Sequence, residues 1–192
     1  MTDISGNFNP PALLVYKEIL PGDLRKLQAL SNNDANAGGG ARDLRVPKSA
    51  FGDVMRRIFS EGVTIKGKNV RVADVTYLDD SGQPQNTQLF YWPSTKARPS
   101  EERIAQINAS PAIGGRPPRS DKGRVFLLLI KFADSTVRCE YAYEEQLKQN
   151  VWAPEVTQQI LGCMAASDAT SGRKSAMGFY DFFQATGYCH AK

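Results

Sequence analysis

The sequence predicts a mixed α/β fold of mostly antiparallel strands with flanking helices, and three observations predict it. Residues 70–92 and 125–143 each hold two strand-length runs joined by a short polar turn. Residues 47–60 repeat apolar side chains at three- and four-residue spacing, the period of an amphipathic helix. No internal repeat and no linker between core-sized halves interrupts the 192 residues, so a single domain is expected, with its core over about residues 22–166.

In chain order, Leu13 to Tyr16 fits a strand or a helix, and Leu24, Leu27 and Leu30 recur at helical spacing, so the type of the N-terminal region stays open. Ser31 to Gly40 is a polar, glycine-rich loop with no residue suited to a core. Pro47-Lys-Ser-Ala opens a helix that buries Phe51, Val54, Met55, Ile58 and Phe59 and ends near Ser60, before Gly62. Val70, Val72, Thr76 and Leu78 lie on one face of a strand, with Val75 and Tyr77 on the other. Asp79-Asp80-Ser81-Gly82 turns the chain, and Gln88 to Trp92 returns.

The second hairpin runs from Val125 to Phe132 (VFLLLIKF), turns at Ala133-Asp134-Ser135 and returns from Val137 to Tyr143. On the return strand Cys139, Tyr141 and Tyr143 share one face, and Arg138, Glu140 and Ala142 the other. Pro154 suits the first turn of a further helix, with Val156, Ile160, Leu161 and Met164 on its buried side. Met177 to Phe183 (MGFYDFF) reads as a short aromatic helix, within about residues 175–188, that plugs the core.

Composition bounds the class. With 41% hydrophobic and 23% charged residues and a mean hydropathy of -0.40, the chain reads as an ordinary globular protein. No apolar run approaches the roughly 20 residues of a membrane span, and Met1-Thr-Asp-Ile-Ser-Gly lacks the basic and apolar regions of a signal peptide. Cys139, Cys163 and Cys189 are odd in number and far apart, which fits neither a disulfide framework nor a zinc site. Reduced thiols, a cytoplasmic location and no membrane partner are the expectation.

The residue types argue against catalysis and cofactors. The one histidine, His190, lies two residues from the end of the sequence, a poor place for a general base, a Ser-His pair or a two-histidine metal site. Gly38-Gly39-Gly40 lacks the Lys-Ser/Thr of a phosphate loop, and no G-x-G-x-x-G occurs. Glu140, Glu144, Glu145 and Lys148 only loosely approximate the carboxylates and lysine of a metal-dependent nuclease, and a charged strand end running into a helix start explains them better. A non-catalytic protein with no metal and no cofactor is expected, with a small nuclease using Glu140, Glu144 and Lys148 as the alternative.

Charge points to a partner. Of the net +4, all is accounted for between Pro93 and Arg124, where Lys96, Arg98, Arg103, Arg116, Arg119, Lys122 and Arg124 face only Glu101, Glu102 and Asp121. Two segments suit nucleic acid. In the first, the glycines lead into Ala41-Arg42-Asp43-Leu44-Arg45, which sets two arginines on alternate sides of a strand start. Arginine can make paired hydrogen bonds to guanine O6 and N7, and small residues allow close approach to phosphates.

In the second, Trp92-Pro-Ser-Thr-Lys96-Ala-Arg98-Pro-Ser-Glu101-Glu102-Arg103 interleaves cations, hydroxyls and acids. Acids repel phosphate. They fit as solvation, as salt-bridge partners that hold arginines, as acceptors for a cytosine amino group, or as the first-turn carboxylates of a helix capped by Ser100.

At these segments the sequence resembles the N-terminal effector-DNA-binding domain of EcoRII-type restriction endonucleases, a relative of the plant auxin-response-factor DNA-binding pseudobarrel. The matching residues are Leu30-Ser31 with Asn33-Asp34, Gly38-Gly39, Val46-Pro47 at the helix entry, Phe90-Tyr91 and Glu101-x-Arg103-Ile104. The Leu127-Leu128 hairpin and the helix through Ile160 follow in similar order, so the resemblance spans roughly Leu24 to Ala165.

The resemblance implies a pseudobarrel whose two arms clamp a DNA duplex like a wrench, one before the first helix and one after the hairpin's return strand. It implies that Glu101 and Arg103 read bases, that Lys96 and Arg98 contact phosphate or base nearby, and that Asn33 and Asp34 belong to the first arm. The sequence departs from the family by having Glu102 where the family member has a lysine, and Arg42-Asp43 where it has uncharged residues, so a different target is expected. The chain ends soon after the barrel, so no cleavage is carried over.

The expected function is therefore sequence-specific binding of double-stranded DNA, in bacterial restriction or defence or as a stand-alone regulator. The expected contacts are Asn33, Asp34, Arg42, Arg45, Lys96, Arg98, Glu101, Arg103, Arg116 and Arg119. A separate nuclease or methyltransferase subunit is admissible as a second partner, and a protein-interaction subunit of a defence complex is the other alternative.

Overall fold

The computed structural model describes residues 9–23, 43–79, 81–105, 123–149, 151–169 and 175–190. Its elements in chain order are β1 (Pro11–Glu18), β2 (Asp43–Pro47), α1 (Lys48–Ile58), β3 (Glu61–Ile65), β4 (Lys68–Leu78), β5 (Pro84–Trp92), β6 (Glu101–Ala105), β7 (Val125–Phe132), β8 (Val137–Tyr143), α2 (Glu144–Lys148), α3 (Pro154–Asp168), β9 (Met177–Asp181) and β10 (Thr186–Cys189). All the strand pairs described below are antiparallel. The chain forms two compact units, Pro21–Pro117 and the discontinuous pair Met1–Leu20 with Pro118–Lys192.

In the Pro21–Pro117 unit the strand order is β4-β5-β6-β2, with β3 paired to the other edge of β4. The β3–β4 turn places Lys66 and Gly67 at φ of 49° and 71°, the paired left-handed conformation of a tight hairpin turn. Helix α1 lies against β2 and β6 and buries Phe51, Val54, Met55 and Ile58, with Phe59 closing its end. That face is the one its three- and four-residue spacing predicts. The β4–β5 hairpin extends the expected one to Pro84, and Asp79 caps its turn by accepting from the Ser81 and Gln83 N–H groups at 2.9 Å each.

In the other unit the order is β10-β9-β1-β7-β8. Strand β7 is apolar and buried along nearly its whole length, and β1 beside it buries Leu13, Leu14, Val15 and Tyr16. Leu14, Tyr16, Phe126, Leu128, Ile130 and Phe132 form one cluster with Val156, Ile160, Cys163 and Met164 of α3. Leu161, assigned to the buried side of that helix, is only partly buried. Burial of this cluster removes several large side chains from water, at about 1.5–3 kcal/mol each.

Several expectations change. The core extends beyond residues 22–166, because the segment from Leu13 to Tyr16 is a strand in the middle of a sheet and Ala176 and Met177 are buried as well. Met177 to Phe183 is no helix. Met177–Asp181 is strand β9, paired with β1 and β10, and buried Asp181 ends it by accepting the Phe183 and Gln184 N–H groups at 3.0 Å each. Gly178 permits this pairing: a Cβ there would lie 2.2 Å from the Tyr188 carbonyl oxygen and 2.3 Å from the Tyr16 hydroxyl.

The expectation of three reduced thiols also fails. Cys163 on α3 and Cys189 on β10 form a disulfide, with Cα atoms 5.5 Å apart and a sequence separation of 26. Cys139 alone is free, and it is buried. The pairing was hidden because an odd number of widely spaced cysteines gives no sign of it, and because it needs β10, which was not read as a strand. The thiol premise behind a cytoplasmic location therefore does not hold for this pair. Among the described residues no helix is long and apolar enough to cross a membrane.

Candidate nucleic-acid interface

Five of the ten predicted contact residues lie in described segments, and all five are in the Pro21–Pro117 unit. Arg45 is on β2, Lys96 and Arg98 are in the β5–β6 connection, and Glu101 and Arg103 are on β6. Asn33, Asp34, Arg42, Arg116 and Arg119 lie outside the described residues.

Strands β2 and β6 form an antiparallel ribbon at the sheet edge, with β6 also paired to β5, and in it Asp43 pairs with Ala105, Arg45 with Arg103 and Pro47 with Glu101. Alternation follows from the pleat. Leu44, Val46, Glu102 and Ile104 point inward and are buried, which leaves Arg45, Glu101 and Arg103 on the other face with Asp43 beneath them. Glu101 and Glu102 are strand residues and not the first turn of a helix.

Ion pairs across the ribbon fix this face. Arg45 Nη1 lies 3.1 Å from Glu101 Oε2, and Arg98 Nη1 reaches the same oxygen at 3.4 Å. Arg103 Nη1 donates to Asp43 Oδ2 at 3.0 Å, and the Asp43 carboxylate is 5% exposed. The Arg103 guanidinium carbon lies 6.0 Å from the centroid of the Trp92 ring, within the range of a cation–π contact. Glu101 and Asp43 are therefore salt-bridge partners that hold arginines, one of the roles the sequence allowed.

The connection from Pro93 to Ser100 is itself hydrogen-bonded. Thr95 and Arg98 exchange backbone hydrogen bonds at 3.3 and 3.0 Å, which sets Lys96 at an exposed turn. The Lys48 N–H donates to the Ser100 carbonyl at 2.9 Å, and its ammonium reaches Ser94 Oγ at 3.4 Å, so the first residue of α1 joins the same cluster. Lys48, Trp92 and Asp43 were not among the predicted contacts. Asp43 was legible in principle, since it shares the parity of Arg45 on one strand. Lys48 was hidden by its reading as a helix-start residue.

Glu102 belongs elsewhere. Its carboxylate accepts the Tyr91 hydroxyl in the interior, and burial, followed by this carboxylate, pushes the Tyr91 phenol far above its ordinary range. Tyr91 also stacks on Phe59, with ring centroids 5.3 Å apart. Glu102 therefore does not lie on the face of Glu101 and Arg103, and its charge bears on packing behind the ribbon.

The alternative nuclease residues are engaged in ion pairs. Glu140 pairs with Arg138, and Glu144 pairs with Lys148 and accepts the Arg124 N–H at 3.2 Å. The Lys148 hydrogen bond leads in holding the Glu144 carboxyl below its ordinary range. Among the described residues no group of three or more His, Cys, Asp or Glu side chains is placed to hold a metal ion. No model of a known protein family matches the sequence, and no curated protein matches it either.

Proposed function

We propose that this chain binds double-stranded DNA sequence-specifically through the exposed face of the β2–β6 ribbon and the adjoining Pro93–Ser100 connection. The observation that carries the reading is the convergence of Arg45, Arg98, Glu101 and Arg103 on one ribbon face, from segments more than fifty residues apart in sequence. Strands at a sheet edge can enter a DNA groove, and arginine is the side chain most often used to read guanine in the major groove. Lys48 and Lys96 at the rim suit phosphate contacts.

The predominantly antiparallel strands are compatible with the pseudobarrel of EcoRII-type effector domains, and we read the fold in that sense. On this reading Arg45 lies at the root of the first arm, Lys96 to Arg103 form the second, and Asn33, Asp34, Arg42, Arg116 and Arg119 are further contacts. The chain performs no chemistry of its own on this reading, and a separate nuclease or methyltransferase would act on the bound site.

Selection from a random duplex pool, repeated with methylated DNA, tests the proposal. A recurrent motif supports it. Noise from well-folded protein overturns it and favours a protein-interaction subunit, whereas nicking of plasmid with Mg²⁺ or Mn²⁺ favours the nuclease.

A further inference from the structure

The Arg103 side chain is held on two sides. Asp43 takes a hydrogen bond from Nη1 at 3.0 Å, and Trp92 lies along the guanidinium with its ring centroid 6.0 Å from Cζ. The Asp43 carboxylate is 5% exposed, whereas the Arg103 side chain is 28% exposed, so the acid sits beneath and the guanidinium reaches the surface. A buried carboxylate is costly unless paired, and here it is paired with Arg103, a residue of the proposed reading face. Arginine carries five N–H donors in a planar fork, so a bond at Nη1 leaves an edge able to donate twice.

We propose that Asp43 is a positioning residue for base recognition, which fixes the Arg103 guanidinium against Trp92 so that its remaining edge meets a guanine in one orientation. The inference rests on the DNA-binding reading above. Arg45 differs: its partner Glu101 is 39% exposed and is shared with Arg98, so that arginine is not anchored to the interior. The two arginines therefore divide the work, with Arg103 pre-set and Arg45 adjustable. Pre-setting reduces the side-chain ordering that binding must otherwise supply.

The test is duplex selection with the full chain carrying Asp43→Asn, Asp43→Glu or Arg103→Lys, beside the unaltered protein. Arg103→Lys keeps a cation near Asp43 and loses the fork, so it should flatten one position of the motif by roughly ten-fold or more. Asp43→Asn should flatten that same position and leave the others unchanged, with no further loss when the two substitutions are combined. Asp43→Glu should restore part of the preference.

A merely structural Asp43 would lower thermal stability and leave the motif intact, and that result overturns the proposal. Should Asp43→Asn fail to fold, the unaltered protein still decides. A held guanidinium gives slow rotation about Nε–Cζ and resolved Arg103 Nη resonances in the DNA-free protein, and averaged resonances overturn the proposal. If the unaltered protein selects no motif, the DNA-binding reading falls and takes this one with it. A motif flattened by Arg103→Lys but not by Asp43→Asn sinks only the role of Asp43.

Discussion

Arg45 and Arg103 stand directly opposite one another on β2 and β6, and each is paired with a carboxylate of the other strand, Glu101 for Arg45 and Asp43 for Arg103. Like charges directly opposite on a sheet are destabilising, and the diagonal acids offset them. Because cross-strand neighbours lie about 5 Å apart, on the DNA-binding reading the two arginines should read base pairs within one or two steps of each other. Arg45→Lys and Arg103→Lys are each expected to relax one position of the selected motif, and the two positions should be adjacent or nearly so. Relaxation of the same position by both, or of none, counts against the ribbon as the reading surface.

Glu101 and Glu102 are neighbours with opposite orientations, so they should respond differently to the same change. Glu101→Gln loosens Arg45 and Arg98 and removes an acid from the proposed interface, so non-specific affinity should rise while preference relaxes. Glu102→Gln should leave the motif unchanged and lower stability, because it weakens a buried pair with Tyr91. Tyr91→Phe, which strips that carboxylate of its hydroxyl donor, should cost about 1–3 kcal/mol in denaturant unfolding. Uniform tightening by Glu101→Gln with an unchanged motif would make Glu101 a salt-bridge partner alone.

Salt separates phosphate attraction from base reading. On the DNA-binding reading, about five phosphate contacts would put the slope of log affinity against log salt near -4 or -5. Lys48→Ala and Lys96→Ala should each reduce its magnitude by about one and weaken all duplexes alike. A slope near zero in a salt titration would remove the rim cations from the interface.

Both central hairpins and both long helices were legible because their signals are local. The β7–β8 hairpin matches its expected bounds, and α1 and α3 begin at or beside the expected prolines. Strand β9 was not legible. Its Phe179 and Tyr180 are partly buried on opposite sides of the strand, so no apolar alternation marks it, and Gly178 is there for close approach to Tyr16 and Tyr188. Strand β10 went unread beside it, and the disulfide joins cysteines whose number and spacing gave no sign of pairing. At the candidate site, residue type pointed to Arg45, Arg98, Glu101 and Arg103. The pairings with Asp43 and Trp92 depend on register, which no single segment encodes.

The disulfide gives a measurable stability difference. Closing a loop of 26 residues should contribute roughly 3 kcal/mol by restricting the unfolded chain. Reduction, or Cys163→Ser, should therefore lower the Tm by about 6–12 °C in a chain of this length. Equal melting of the oxidised and reduced forms would mean that β10 is held without it.

Alkaline pH should destabilise the protein. Burial raises the phenols of Tyr16, Tyr91 and Tyr141 far above the ordinary tyrosine value of 10.0, and raises that of Tyr143 to about 12. A group whose folded pKa is raised contributes stability that is complete below its unfolded value and is lost as pH rises through the folded one. For Tyr143 the loss should run between pH 10 and about 12, with the other three extending it upward. Unfolding free energies measured from pH 9 to 12 should fall across that window, and a flat profile contradicts the burial of these rings.

The quartet of Asp43, Arg45, Glu101 and Arg103 sums to zero formal charge, while Lys48 and Lys96 stand at its rim. Neutral groups exert little pull over distance, whereas exposed cations attract a polyanion across a Debye length, about 8 Å at physiological ionic strength. On the DNA-binding reading, the rim would govern how often the protein meets a duplex, and the quartet how long it stays on a matching sequence. Changes at Lys48 or Lys96 would then appear in the association rate, and changes at Asp43 or Arg103 in the dwell time.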